Sequence, residues 1–84
     1  MLTTAQRVDN GIAWLDYRRP NWRNRINWAA LDMASMNDCV LGQTGGWSDP
    51  RREVPYGLSH YGFKNDLDSG ITYEELDTEW RRRA

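Results

Sequence analysis

Apolar residues recur at helical spacing over the first 19 positions of the chain. One stripe is formed by Ala5, Val8, Ile12 and Leu15. Such a stripe is typical of an amphipathic helix that buries one face. Thr3 and Gln6 match a capping box, which predicts the start of the helix, and Pro20 predicts its end because the residue before a proline disfavours helical geometry. Gly11 lies within the pattern, where the missing side chain would let another element approach closely.

A second amphipathic pattern lies near the end of the sequence. Thr72 and Glu75 have the spacing of an N-cap and its reciprocal partner, and Ile71 and Leu76 have the spacing of a hydrophobic staple. The apolar stripe of this segment is formed by Tyr73, Leu76 and Trp80. Arginines at positions 81–83 suit the negative end of a helix dipole. The sequence therefore predicts a helix that begins after Thr72.

Two shorter helices are predicted in the first half of the chain. The first covers residues 20–26, with Pro20 at its first position and Trp22 and Ile26 facing inward because they are four apart. The second begins at Ser35, and the glycines from Gly42 onward end it early.

Breakers and polar residues dominate the region that follows. Residues 44–55 contain a Gly-Gly pair and two prolines and are predicted to form a long loop. A short strand pair near residues 47–54 stays an open alternative. A short helix is predicted over residues 56–61, stopped by Gly62, and residues 64–70 are predicted to be a polar connection.

These elements predict a mainly α fold: one compact domain over residues 1–84, with three to five short helices. A chain of 84 residues suits a single domain. One cysteine allows no intrachain disulfide, so the core has to depend on large side chains, of which five are Trp. With no apolar stretch long enough for a signal peptide or a membrane span, we expect a cytoplasmic protein without a membrane partner.

Residues with catalytic or metal-binding potential are few. Cys39 and His60 could form a nucleophile and base, but Cys39 is followed by the apolar Val40 and Leu41 and is interpreted more simply as a buried thiol. The glycines at 42–46 follow a predicted helix, which is the wrong polarity for a phosphate-binding loop. Residues 65–70 do not fit the register of a calcium loop. We therefore expect no enzymatic activity, no metal and no cofactor.

Four arginines surround Trp22, and this cluster has two interpretations. The arginines are Arg18, Arg19, Arg23 and Arg25. Arginines beside an aromatic residue can bind a protein partner or stack on and neutralise nucleic acid. The simpler interpretation places Trp22 in the core and pairs the arginines with nearby aspartates. A net charge of −1 argues against a general polyanion binder.

Trp47 is the tryptophan with the weakest structural reason for its position. It follows two glycines in the predicted loop and precedes Arg51 and Arg52. An aromatic residue beside arginines on a loop suits an anchor for a partner. The alternative is that Trp47 folds back over the small core.

Several short stretches together resemble a known group of proteins. They are NGIAWLD at 10–16, PNWRNRI at 20–26, LDMAS at 31–35, CVLGQ at 39–43, Gly62-Phe63 and the closing residues 76–81. This combination resembles small uncharacterised proteins encoded by actinobacteria and their phages. The resemblance implies a phage or actinobacterial origin and no particular activity. The chain departs from the pattern after Gln43, where similar proteins continue with apolar residues.

Taken together, the sequence favours a non-enzymatic, phage-type accessory protein that binds a host protein in the host cytoplasm. The predicted contact residues are Trp47, Arg51, Arg52, Arg18, Arg19, Arg23 and Arg25. A small nucleic-acid-binding regulator is the first alternative, and a homodimeric or otherwise self-assembling structural protein is the second.

Overall fold

A computed structural model describes residues 2–45 and 57–84. The elements in these residues are helix α1 (Thr4–Arg18), helix α2 (Trp22–Arg25), helix α3 (Val40–Thr44), two 3-10 turns (Leu58–Tyr61 and Leu67–Ser69) and helix α4 (Tyr73–Arg82). Over the same ranges the only β pairing is an isolated antiparallel bridge between Asp66 and Ile71. The predicted mainly α fold is confirmed.

Helix α1 begins as its sequence predicts. The Thr3 hydroxyl accepts a hydrogen bond from the Gln6 backbone N–H at 3.1 Å, and the Gln6 side chain accepts one from the Thr3 N–H at 2.9 Å. These two bonds satisfy N–H groups that lack a partner in the first turn of a helix. The helix ends at Arg18, two residues before Pro20. Val8 and Leu15 of the predicted stripe are fully buried.

Helix α4 is capped by Thr72, whose hydroxyl accepts from the Glu75 backbone N–H at 3.2 Å. The Glu75 carboxylate, predicted to bond back to the cap, accepts a hydrogen bond from the Thr4 hydroxyl of α1 at 3.3 Å. The starts of the two long helices therefore lie side by side. Leu76 and Trp80 point into the core and are fully buried.

Five aromatic rings run through the core in contact with one another. Trp14 meets Phe63 edge to face at 5.6 Å between centroids, and Phe63 stacks on Trp80 at 5.9 Å. Trp80 then meets Trp22 at 5.9 Å, and Trp22 meets Trp28 at 6.3 Å, both edge to face. Offset and edge-to-face pairs are the favoured geometries of aromatic rings. These large side chains supply the core that a chain without disulfides needs.

The segment between the two 3-10 turns is held by Arg7 of α1. Its side chain is buried, donates to the carbonyl oxygens of Leu2 and Ser59, and lies 3.0 Å from a carboxylate oxygen of Asp66. The first turn ends at Gly62, whose φ of 72° is a left-handed conformation that glycine adopts without strain. The predicted stop at Gly62 and the polar connection that follows it are confirmed.

Helix α3 differs from the prediction at its start. Ser35 accepts from the Asp38 backbone N–H through its hydroxyl and from Cys39 through its carbonyl, which forms a turn. The helix begins only at Val40, where Cys39 is the N-cap and its sulfur accepts from the Gly42 N–H. Ser side chains favour turns as well as caps, which explains the displaced start.

Gly42 lies inside α3, although the sequence predicts that it ends the helix. A Cβ at Gly42 would collide with the carbonyl oxygens of Met36 and Asn37, so the glycine allows the preceding turn to pack closely. Gly45 ends the helix instead, with a φ of 144°.

Helix α2 is shorter than predicted, because Pro20 lies outside it and Asn21 is its N-cap with a φ of 67°. Asparagine is one of the few residues other than glycine that adopt this left-handed conformation readily. Trp22 and Ile26 are buried as predicted. The alternative strand pair at 47–54 lies outside the described residues, as does Tyr56 of the predicted helix over 56–61.

The α-carbon atoms have a radius of gyration of 11.4 Å, close to the roughly 12 Å of a compact domain of this length. None of the helices in the described ranges is long and apolar enough to cross a lipid bilayer.

Candidate partner-binding surface

The end of α1 and the whole of α2 meet at a corner, residues 16–25, here named the α1–α2 corner. Asp16 on α1 accepts a hydrogen bond from the indole Nε1 of Trp22 on α2 at 2.8 Å. Asn21, in its left-handed conformation, turns the chain between the two helices. The corner is therefore fixed in shape by a side-chain bond and by backbone geometry.

Trp22 belongs to the core and not to the surface of the corner. Its side chain is 1% exposed and contacts Trp28 and Trp80. The interpretation of Trp22 as a core residue is confirmed. A base of a nucleic acid could not stack on this ring without unpacking the core.

Arg19 was predicted to be a contact residue, but the structure places it inside the fold. The side chain is 9% exposed and lies over the Trp14 ring at 5.4 Å. It donates to the carbonyl oxygen of Leu41 at 3.1 Å and to the hydroxyl of Thr44 at 3.0 Å. Arg19 therefore joins α1 to α3 inside the fold and does not belong to an exposed surface. Arginine can serve in this way because its flat guanidinium is weakly hydrated and offers several donors.

Arg18, Arg23 and Arg25 are exposed at the corner. The Arg23 guanidinium lies 4.4 Å above the Trp22 ring, and its NH1 is 3.9 Å from the Asp16 carboxylate. The pairing of an arginine with an aspartate that the sequence suggests is thus a loose contact between Arg23 and Asp16. Three exposed guanidinium groups and one carboxylate give the corner a positive charge.

Tyr17 is a surface residue that the sequence reasoning missed. It is 80% exposed, and the Arg18 guanidinium lies 5.3 Å from the centre of its ring. Position 17 is two residues after Leu15, about 200° further around the helix, and so lies off the buried stripe. An aromatic residue away from the apolar stripe is the signal that could have identified it.

An open recess of about 290 Å³ lies within the corner. It is lined by Asp16, Asn21, Trp22, Arg23 and Asn24. A carboxylate, a guanidinium and two carboxamides make its wall polar. Of the predicted contact residues that are exposed, Arg23 lines this recess.

A larger groove of about 600 Å³ lies between the starts of α1 and α4. Its lining residues are Thr4, Thr72, Glu74, Glu75, Thr78 and Glu79. The Glu79 carboxylate is paired with Arg82 at 3.2 Å and with Arg83 at 2.9 Å. This groove is acidic, so the positive corner and the negative groove lie at different places on the molecule.

Trp47, Arg51 and Arg52 were predicted to be contact residues as well. They lie outside the described residues. Their part in a binding surface stays a prediction.

Cys39 and His60 do not form a nucleophile and base. The Cys39 thiol is 1% exposed and contacts Met36 and Gly42 in its own turn. Burial raises the pKa of the Cys39 thiol and so disfavours the reactive thiolate. His60 lies elsewhere, beside Asn10 and the Tyr61 ring. The interpretation of Cys39 as a buried thiol is confirmed.

Acidic side chains occur throughout residues 2–45 and 57–84. In that part of the chain no three His, Cys, Asp or Glu residues are grouped so that they could hold a metal ion. Asp66, within residues 65–70, whose register does not fit a calcium loop, is paired with Arg7.

Comparisons with known proteins add no assignment. The chain matches no protein family model, no curated protein sequence and no solved structure. The resemblance to small actinobacterial and phage proteins therefore stays a prediction, and a function has to be argued from the geometry of the corner.

Proposed function

We propose that this protein is a non-enzymatic binding protein that recognises another protein through the α1–α2 corner. The observation that supports the proposal is Tyr17, an aromatic residue that is 80% exposed beside exposed arginines. Tyrosine, tryptophan and arginine dominate the binding energy of protein interfaces. The Tyr17 ring contacts the Arg18 guanidinium and is otherwise open, so a partner can reach it.

The chemistry of the corner favours binding over catalysis. Cys39, the strongest nucleophile among the side chains, is buried with a raised pKa. Arg23 and Tyr17 offer a cation and an aromatic ring, which contact a partner without reacting with it. The proposed role is therefore recognition.

The partner that we propose is a protein of the host cell, acting in its cytoplasm. The motif resemblance suggests an actinobacterial cell as the host and a phage as the source of the protein. Trp47, Arg51 and Arg52 are included in the proposal as further contact residues, on the strength of their sequence pattern.

A nucleic-acid-binding regulator is the alternative that the arginines leave open. The burial of Trp22 removes one ring from base stacking, whereas the exposed Tyr17 ring at the same corner remains accessible to a base. A homodimer is the second alternative, in which Tyr17 would contact a second copy of the chain. Binding of DNA or RNA that weakens steeply with salt would favour the nucleic-acid-binding regulator. A solution mass that rises with protein concentration would favour the homodimer.

The test is affinity capture from an actinobacterial lysate with the wild-type chain and the Tyr17→Ala variant. Leu67→Ala is the matched control, because Leu67 is also an exposed apolar residue, at 72%. We expect a protein that is retained by the wild type and by Leu67→Ala and lost with Tyr17→Ala. Equal retention by all three chains would contradict a role for the corner.

A further inference from the structure

The guanidinium of Arg23 is held in place before any partner binds. It stacks on the Trp22 ring at 4.4 Å, and its Nε donates to the carbonyl oxygen of Arg83 at 3.5 Å. The side chain nevertheless stays 47% exposed. A side chain ordered in advance loses less conformational entropy on binding, so Arg23 is well suited to hold an anionic group.

Hydrogen-bond donors surround Arg23 in the recess of the corner. Asn21 and Asn24 are exposed and line the same recess, and each carboxamide carries an NH₂ group. Asp16 is the carboxylate of the recess, and its Oδ1 already accepts the indole hydrogen of Trp22. The recess is therefore lined by the Arg23 guanidinium, the Asp16 carboxylate 3.9 Å from it, and two carboxamides.

Arg18 and Arg25 add positive charge beside the recess. Both are exposed and lie within four residues of Asn21 in the sequence of the corner. Counting the exposed side chains of residues 16–25, three guanidinium groups exceed the single Asp16 carboxylate. Charge complementarity therefore points to a negatively charged occupant.

We infer that the recess receives a carboxylate side chain from an acidic segment of the protein partner. The carboxylate accepts from the Arg23 guanidinium and from the carboxamides of Asn21 and Asn24, and Arg18 and Arg25 contact neighbouring acidic residues. This inference rests on the proposed function and specifies the chemistry of the partner.

A carboxylate fits the recess better than a nucleotide does. The Trp22 ring is covered by Arg23, Trp28 and Trp80, so the recess has no open aromatic face on which a base could stack. The volume of the recess also suits a carboxylate, since about 290 Å³ of open space accommodates one or two acidic side chains.

The probe for the test is a glutamate-rich decapeptide, titrated into the ¹⁵N-labelled chain of 84 residues at low salt and followed by NMR. An oligothymidylate of equal charge is titrated in parallel. We expect saturable shifts of the Arg23 Nε–H and of the Asn21 and Asn24 side-chain amides on adding the peptide.

Two variants locate the binding at the recess. Asn24→Asp keeps the shape of the side chain but places a negative charge in the recess, and Arg25→Glu reverses a charge at its edge. Each is expected to weaken binding of the peptide about tenfold or more. Both positions are exposed, so the fold should persist, and the amide spectrum of each variant checks this.

Lys64→Glu is the control for charge alone. Lys64 is exposed and lies two residues after Gly62, which packs against Val8 of α1. Val8 is about 15 Å along α1 from Arg18, so Lys64 is distant from the α1–α2 corner. Lys64→Glu should leave the affinity for the peptide unchanged.

Absence of saturable shifts at residues 21–25, or an equal loss with Lys64→Glu, would overturn the inference. Tighter binding of the oligothymidylate than of the peptide would also overturn it, in favour of a nucleic-acid site. Should the peptide fail while Tyr17→Ala still abolishes capture of a cellular protein, the acidic chemistry is wrong and the proposed function stands.

Discussion

Gly11 of α1 lies directly against the indole of Trp80 in α4. A Cβ built on Gly11 would come within 2.9 Å of Trp80 Cζ2 and would collide with the carbonyl oxygen of Tyr61. The missing side chain lets the two long helices and the first 3-10 turn pack closely. The close approach that the sequence predicts for Gly11 is confirmed.

Gly11→Ala should therefore destabilise the protein. Alanine is favoured over glycine in a helix by about 1 kcal/mol, so propensity alone would raise the melting temperature. Overpacking is expected to exceed this gain and to lower the free energy of unfolding by about 1–3 kcal/mol. Ala13→Gly, at an exposed position of the same helix, is the control for propensity and should cost about 1 kcal/mol. A higher melting temperature for Gly11→Ala would show that the space is not restrictive.

Trp80→Ala should unfold the domain or destabilise it severely. Trp80 is fully buried, contacts the rings of Trp22 and Phe63, and donates from Nε1 to the carbonyl oxygen of Gly62 at 2.8 Å. Loss of a buried Trp typically costs about 3–5 kcal/mol. Trp80→Phe keeps a ring but leaves the Gly62 carbonyl without this donor, which should cost less than Trp80→Ala in thermal denaturation.

Trp47→Ala is the comparison for Trp80→Ala. Its surroundings of glycines and a proline predict a residue outside the helical core, so the variant should stay folded. If Trp47→Ala melts as early as Trp80→Ala, Trp47 contributes to the core and its proposed role as a partner anchor loses its basis.

The dependence of stability on pH should reveal the contacts of the Asp66 carboxylate with Ser69 and Arg7. A hydrogen bond from the Ser69 side chain, and next the nearby Arg7 guanidinium, hold the pKa of Asp66 below its ordinary value. The unfolded chain then binds the proton more readily than the folded one. The contribution of Asp66 is complete above the ordinary carboxyl pKa of about 4 and is lost as the pH falls below it.

Asp66→Asn should lower the melting temperature at neutral pH and flatten its fall between about pH 5 and pH 2. Asp68→Asn, an exposed position in the same turn, is the control. Parallel curves of melting temperature against pH for the wild type and Asp66→Asn would contradict the assigned contact.

The Cys39 thiol should be protected from reagents while the protein is folded. It is 1% exposed, and burial raises its pKa, so both access and thiolate content are low. In a timed reaction with a disulfide reagent, we expect modification only at the rate at which the chain unfolds. Rapid reaction under native conditions would mean that the thiol is accessible.

The sequence predicted the elements whose signals are local. The cap at Thr3 with Gln6 and the cap at Thr72 each define a helix start within a few residues, because capping depends on side chains close in sequence. Gly62 likewise marks a turn that requires a left-handed conformation. These features need no knowledge of the tertiary structure.

The burial of Arg19 could not be predicted from local signals. It lies beside Arg18 in sequence, yet it is buried because Leu41 and Thr44, more than 20 residues away, supply acceptors for its guanidinium. A long-range contact of this kind leaves no periodic signal. The predicted start of α3 was wrong for a similar reason. Whether Ser35 or Cys39 caps the helix depends on how the preceding turn packs against Gly42.

Site-specific photo-crosslinking in actinobacterial cells tests the proposed function most directly. A photoreactive phenylalanine analogue replaces Tyr17 in one chain and Leu67, another highly exposed apolar residue, in a second. Mass spectrometry then identifies what each position captures. We predict that position 17 crosslinks to a defined host protein and that position 67 does not. Crosslinks from position 17 only to nucleic acid or to a second copy of the chain, or none above the level of position 67, would contradict the account.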